Sequence, residues 1–527
     1  MAYQLSPGIN VSEIDLTSVV PAVSTTTGAI AGVFAWGPVN TPVLVSSETD
    51  LVNRFGEPVT GHNTQTFFTA ADFLAYGNSL YVVRVSDGVA ASPNTGSSYD
   101  TSINAKYVGT YGNSLSVALI GPTGNTALLT NAGTKFYADK LRTPAAGTVN
   151  VIVMDRTANV ALEVYESLST SSTAYTEDGT TNYVVEVINQ KSNYVTMTDA
   201  AATSMISAGS TLAVDEGFVS GTAGVTESTV TAASLQTGYD YFASPEDIDV
   251  SLILAGKPHG TNGVQVANYI IDNIVGVRKD CMVFVTPSAT TGVRSAAGSE
   301  LSDITTFANN LNNSSYAVVD SGYKYRYDRY NDRYIYTPLN GDIAGLCVRT
   351  DADRDPWFSP AGYNRGQIKN VIKLAYNPKK ADRDALYKLG VNPVITQPGQ
   401  GTLLFGDKTH LTVNSAFDRI NVRRLFIVLE KAISRASKST LFEFNDAFTR
   451  AQFKNMVEPF LRDVQGRRGI YDFKVVCDET NNTPQVIDSN SFVGDIYIKP
   501  ARAINFIQLN FIAVRTGVEF NEIICQR

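Results

Sequence analysis

Chemistry-bearing residues are scarce in this chain of 527 residues, which holds three histidines and four cysteines. His62, His259 and His410 lie far apart, and no HExxH, GxSxG or three-ligand zinc spacing occurs. They read as structural or surface residues rather than as bases or ligands. Cys281, Cys347, Cys477 and Cys525 form neither a CxxC clip nor a dense disulfide framework, so small buried side chains in a reducing compartment are expected. No catalytic residue, metal site or cofactor is therefore expected. The opening MAYQLSPGIN lacks a basic segment followed by an apolar one, and no run of ~18 apolar residues occurs. The expectation is a soluble protein used without export or membrane insertion. Positive charge is also short: the net charge is −8, which disfavours nucleic acid as a direct partner.

What is present is material for folded domains. Hydrophobic residues make up 43% and aromatics 10%, and the length calls for about three or four cores. From Gly28 to Val85 short apolar runs (GAIAGVFA, PVLV, LYVVRV) read as strands. Helices are expected after Ser47, a good N-cap, and over Thr64–Tyr76. After Ser86 the chain turns to Thr, Ser, Ala and Gly and helical periodicity fades. TVNVIVMD and VALEVYE flank a polar turn (Arg156–Asn159) and predict a hairpin, and NYVVEVI (Asn182–Ile188) predicts another strand. Strand–helix alternation resumes near Pro245. Helix Val264–Arg278 is expected to align Val266, Ile270, Ile274 and Val277, and helix Glu300–Asn312 to align Leu301, Ile304, Ala308 and Leu311. Such spacing implies βαβ crossovers and a mainly parallel sheet. Further on, helix Val422–Ser437 is expected to bury Leu425, Val428, Leu429, Ala432 and Ala436. A second helix runs from an Asn445 cap towards Val464, with a kink or restart at Pro459. FKVVC and DIYIKP read as strands.

The resulting fold class is α/β and α+β multidomain. Residues 1–27 form an N-terminal arm and linker, and residues 28–89 and 236–396 the two parts of a split α/β core. Residues 90–235 form an inserted antiparallel β domain, 397–514 a C-terminal α+β domain and 515–527 a C-terminal arm. In the arms, Ile9, Val11, Ile14 and Leu16 lie in an extended-looking segment, and VEFNEII places Val518, Phe520 and Ile523 in a final strand. Ile507, Leu509 and Phe511 alternate in the strand before it. A lone strand on a tether needs a sheet edge to satisfy its backbone. That edge belongs either to its own subunit or, by strand addition, to a neighbouring chain.

Three local patterns imitate functional motifs. GTLLFGDKT (Gly401–Thr409) resembles a P-loop, but Asp407 stands where Lys must follow the second Gly. DADRD (Asp351–Asp355) opens like an EF-hand, yet Pro356 and Gly362 occupy the places of its Gly and Glu; a solvated turn is expected. The tract Tyr323–Tyr336 interleaves tyrosines with Lys324, Arg326, Arg329 and Arg333, but Asp328 and Asp332 offset that charge, so a structural or interfacial hairpin is expected. Arg424, Lys431, Arg435 and Lys438 share one polar face, which reads as an ordinary solvated surface.

Several long stretches carry a family resemblance: YKYRYDRYND (Tyr323–Asp332), GLCVRTDADRDPWFSPAGYNRG (Gly345–Gly366), QPGQGTLLFGDKTH (Gln397–His410) and NVRRLFIVLEKAI (Asn421–Ile433). With SPGINVSEID and KYVGTYGNSLSV (Lys106–Val117), they make the chain resemble the tail sheath proteins of large contractile-tailed bacteriophages. The resemblance is weakest between Gly121 and Leu235. It implies a structural protein, not an enzyme, that stacks as hexameric rings around a tail tube and contracts to drive the tube through the host envelope. It implies arms (Ile9, Val11, Ile14, Leu16, Val518, Phe520, Ile523) that join neighbouring copies, with Ile507, Leu509 and Phe511 as acceptor strand. It also implies that Arg424, Lys431, Arg435 and Lys438 meet the tube by charge. The implied partners are the chain itself, the tail tube protein and the baseplate and tail terminator proteins, in a virion assembled in the host cytoplasm. The other readings are a sheath of a bacterial contractile injection particle and, in a different class, a phage tail hydrolase or receptor-binding β protein.

Overall fold

The computed structural model describes residues 25–86, 92–93, 103–123, 129, 131–198, 213–219, 225–259, 263–288, 298–505 and 508. The first stretch supplies β1 (Gly28–Gly32), β2 (Pro42–Val45), α1 (Glu48–Phe55), α2 (Thr64–Leu74) and β3 (Leu80–Arg84). Ser47 caps α1 by accepting the Asp50 N–H at 3.1 Å, as its residue type predicts.

Beyond β3 the chain builds a separate antiparallel sheet from β4 (Ser92–Pro93), β5 (Leu115–Ile120), β6 (Thr148–Asp155), β7 (Val160–Ser169) and β8 (Ala213–Val219), in the order β4-β8-β5-β6-β7. The expected hairpin is β6–β7, with Asn159 at φ 56° in its turn. The strand expected over Asn182–Ile188 is instead helix α3 (Val184–Lys191). Its apolar residues Val184, Val185, Val187 and Ile188 are buried, and this i, i+1, i+3, i+4 spacing outweighs the β-propensity of valine.

The chain then re-enters the first sheet through β9 (Leu252–Leu254), β10 (Met282–Val285), β11 (Ala317–Asp320) and, later, β14 (Val391–Asn392). The order is β14-β11-β10-β9-β1-β3-β2, parallel throughout except for edge strand β2. Period-two alternation splits its side chains between two cores. Ile253, Val283 and Val319 face helices α4 (Val264–Tyr269) and α5 (Glu300–Asn310). Leu252, Leu254 and Phe284 face α2 and helix α6 (Asn340–Asp353). Helices cover both faces, which explains the nearly continuous apolar strands. After α4 a π-helical turn, Ile270–Val275, adds a residue to the winding. This rotates the last turn, so Val277, expected inward, is 69% exposed while Arg278 is buried. Arg278 donates to the Phe242, Ser244 and Ile248 carbonyls.

Strands β12 (Tyr323–Asp328) and β13 (Arg333–Pro338) pair before α6, and β15 (Val394–Gln397) and β16 (Gly401–Leu404) pair after β14. Helix α7 (Lys380–Lys388) precedes β14. The remaining unit holds α8 (Ile420–Ser437), α9 (Ala447–Gly466), β17 (Ile470–Val476) and β18 (Asp495–Pro500) around Trp357, Leu425, Leu429, Phe453, Val457 and Leu461. The cap of α9 is Asp446 rather than Asn445, and the helix runs through Pro459 without restarting. The expected arm and acceptor residues Ile9, Val11, Ile14, Leu16, Ile507, Leu509, Phe511, Val518, Phe520 and Ile523 lie outside the described residues.

Candidate functional site

The stretch Gly345–Gly366 builds a joint between the parallel-sheet core and the α8–α9 unit. Helix α6 packs tightly on α2 because Gly345 has no side chain; a Cβ there would sit 2.4 Å from the Tyr76 ring. One turn beyond Cys347, Asp351 receives both Arg424 Nη atoms at 2.7 and 2.6 Å. Thr25 donates its hydroxyl to the same carboxylate at 2.6 Å. Asp355 pairs with Arg467, whose carbonyl accepts the Trp357 indole N–H at 3.1 Å. The solvated turn expected at Asp351–Asp355 is thus the last turn of α6 and the residues just after it, and its carboxylates hold α8 and the end of α9.

The cationic face of α8 is turned inward for the same reason. Arg424 is 4% exposed, and Lys431 and Arg435 both pair with Asp249 on the segment leading to β9. Burial raises the Asp249 carboxyl, but Lys431 and then Arg435 hold it below its ordinary range. The solvated surface expected for these residues is therefore corrected: three are paired with carboxylates within the subunit, and Lys438 alone of the four is exposed.

The tyrosine tract is amphipathic in an unusual sense. Along β12 the charged residues Lys324, Arg326 and Asp328 are buried, while Tyr325 and Tyr327 face outward. Lys324 Nζ lies 3.0 Å from Asp72 on α2 and 2.8 Å from Asp342 on α6. Arg326 pairs with Asp72 and stacks 4.3 Å over Phe68. Burial raises the Asp342 carboxyl above its usual range, while Lys324 opposes the shift. On the outer face Tyr325 stacks on Tyr334 at 5.6 Å, and Tyr327 packs on it at 5.3 Å. The only advance signal of the buried quartet was the i, i+2 spacing of Lys324 and Arg326, which a strand places on one side.

A third junction ties the core to the second sheet. Buried Arg84 donates to the carbonyls of Phe34, Gly37 and Val108 at 2.9, 2.7 and 2.7 Å. Gly109 follows at φ 137°, where a Cβ would meet the Ala35 oxygen at 2.9 Å. Trp36 packs edge-on against Tyr107 and Tyr111. The motif Lys106–Val117 is this junction.

The segment that resembles a P-loop is ordinary structure. Gly401–Leu404 is a strand of a hairpin, and Lys408 donates to the Tyr387 carbonyl at 2.9 Å. Asp407 accepts from Arg419, Tyr387 and Ser359. Among the described residues no three His, Cys, Asp or Glu side chains are grouped to hold a metal, and no helix is long and apolar enough to cross a membrane.

Three family models match this arrangement. Residues 25–85 match the tail sheath protein Gp18 domain III N-terminal region, residues 252–410 the phage tail sheath protein central domain, and residues 412–513 the phage tail sheath C-terminal domain. The tail sheath protein of Vibrio phage KVP40 is 34% identical over 99% of both chains. The chain belongs to the phage tail sheath protein family. The tail sheath protein of Enterobacteria phage T4 is also 34% identical, over 98% of this sheath protein and 99% of its own length. Solved structures share the fold: a sheath tail protein from Desulfitobacterium hafniense has a TM-score of 0.58 at 13% identity, covering 94% of this chain and 100% of its own. The contracted sheath of an extracellular contractile injection system has a TM-score of 0.53 at 12% identity, covering 97% and 98%. The family matches leave residues 86–251 uncovered, the stretch that contains the five-stranded sheet. The three joints of this sheath protein, by contrast, are built mainly from matched residues. It is a structural component of a contractile phage tail, and its place is the virion.

Proposed function

We propose that copies of this sheath protein stack as hexameric rings around the tail tube and contract to drive it through the host envelope. Its subunits are joined by strands donated from the terminal arms. The observation that carries this reading is the two-stranded sheet β17–β18. Among the described residues the outer edge of β18 is unpaired, and an open edge is a template for another strand. Alongside it runs a groove of about 440 Å³ lined by Leu429, Ile433, Phe453, Phe492, Ile496 and Ile498. An incoming strand needs two apolar residues at i and i+2 to fill such a groove. Ile9 and Val11 of the N-terminal arm, and Val518 and Phe520 of the C-terminal arm, each provide that pair.

The division of labour follows. An α/β core split by an inserted β domain, together with the α8–α9 unit, moves as one body because buried ion pairs join core and unit. The arms keep their pairing while neighbours rotate, and the stored energy lies in subunit packing rather than in nucleotide hydrolysis. Baseplate and terminator proteins cap the two ends, and assembly takes place in the host cytoplasm. Of the four cations, Lys438 is the one left to meet the tube, with half-buried Arg435 behind it, beside strongly exposed Phe442 and Phe444 of the loop before α9 and Phe448 in its first turn. A contiguous apolar surface of this kind marks a contact site. Identity to phage sheaths over the whole chain favours this reading over a contractile injection particle.

Expression of the chain alone, followed by negative-stain microscopy, tests the proposal. Tubular polymers are expected, and deleting residues 1–16 should leave folded monomers. Polymers that form equally well without those residues would overturn it. A Lys438→Glu variant should polymerise yet decorate purified tail tubes poorly.

A further inference from the structure

A second concavity lies between the core and the α8–α9 unit. This cleft of about 1260 Å³ is walled by α7 and the residues just after β16, Phe405 to Asp407, on one side and by the start of β17 on the other. Its charge is opposite in sign to that of the chain. Arg365, Lys380, Arg383, Arg468 and Arg502 line it, against two carboxylates, Asp384 and Asp407. Asp407 is spent on Arg419 at 3.0 Å and accepts Asn505 at 3.1 Å. None of the five cations forms an ion pair with a described residue. Arg383 lies 5.5 Å over the Phe405 ring, and Phe358 and Tyr471 extend the aromatic wall. The cleft thus offers unpaired guanidinium groups beside apolar surface, in a protein of net charge −8.

Within the chain outside the described residues, one segment has the complementary pattern. In Glu13-Ile14-Asp15-Leu16 two carboxylates alternate with two aliphatic side chains. In an extended chain the carboxylates fall on one face about 6.8 Å apart, with the aliphatic pair on the other. The C-terminal carboxylates Glu519 and Glu522 are three residues apart, so a strand would point them to opposite faces. We infer that this cleft receives the Glu13–Leu16 segment of a second copy, the carboxylates on the arginines and the aliphatic side chains on the aromatic wall. The inference rests on the arm-exchange reading above and adds to it a polar latch that sets which copy is joined. Charge pairing at such a rim gives selectivity more than strength, and it weakens with salt.

A charge-swap experiment on the full-length chain separates the possibilities. Glu13→Lys with Asp15→Lys, and Arg383→Glu with Arg468→Glu, should each raise the critical concentration for polymer formation about ten-fold at low salt, a shift in keeping with two rim pairs turned repulsive. Combining all four changes in one chain should restore assembly. So should mixing the two double variants, because each arm then meets an oppositely charged cleft on its neighbour. Circular dichroism verifies folding of each variant. Recovery in the fourfold chain but not in the mixture would mean that the segment binds its own copy and would overturn the proposal. Unchanged assembly of both double variants, with polymers still lost on deleting residues 1–16, would overturn the cleft assignment and leave strand exchange standing. Rescue of the cleft variant by Glu519→Lys with Glu522→Lys would overturn it in favour of the C-terminal arm.

Discussion

At the scale of single residues, buried charge governs the behaviour expected of this chain. Lys324 compensates two carboxylates that have little access to water. Lys324→Met should therefore lower stability in urea by about 3–5 kcal/mol, since removing one partner leaves the others uncompensated. Replacing Asp72 and Asp342 by Asn in the same chain should recover part of that loss. Asp320 differs, because burial pushes its carboxyl up to about 8 while hydrogen bonds from Thr286 and Gly322 oppose the shift. The folded chain then keeps a proton that the unfolded chain releases from roughly pH 4 upward. Stability from this group is complete at low pH and falls as pH rises towards 8. Asp320→Asn should flatten that slope in urea melts repeated across the range. The Cys347 thiol, pushed up to about 12 by burial, should react with thiol reagents only after unfolding.

At the scale of elements, legibility followed periodicity. The parallel strands and the helices at Ser47, Thr64 and Glu300 could be read because each buries a regular face. Asn182–Ile188 misled because β-branched residues can satisfy a helical stripe when a sheet lies beneath it. Val277 misled because a π-turn changes the phase and leaves no mark in composition. The cations of α8 share a face, as their spacing says, but the sequence does not reveal what that face meets. Asp249 lies 186 residues from Arg435, and Asp351 lies 73 from Arg424, so only the fold brings such groups together. The tight glycine contact of α6 on α2 was likewise invisible. Gly345→Val should cost about 1–3 kcal/mol through forced displacement of Tyr76, measurable as a lowered urea midpoint with an unchanged m-value.

At the scale of the molecule, the Asp351–Arg424 pair and its neighbours make core and α8–α9 unit one mechanical body. An Asp351→Ala chain should show two thermal transitions in calorimetry where the parent shows one, because the unit loses its coupling to the core. The proposed exchange of arms would add the longer-range cohesion. About five ladder hydrogen bonds per arm, at roughly 1 kcal/mol each, give about 5 kcal/mol before apolar burial. One such link is modest, but many act together along a tube.

The five-stranded sheet meets the core at Arg84, Gly109 and Trp36, whereas the turn Thr176–Gly179, next to exposed Tyr175, makes none of those contacts. A guest peptide spliced into that turn would disturb neither the arginine hub nor the groove beside β18. The molecule thereby offers a handle on which foreign sequences can be displayed at every repeat of a filament.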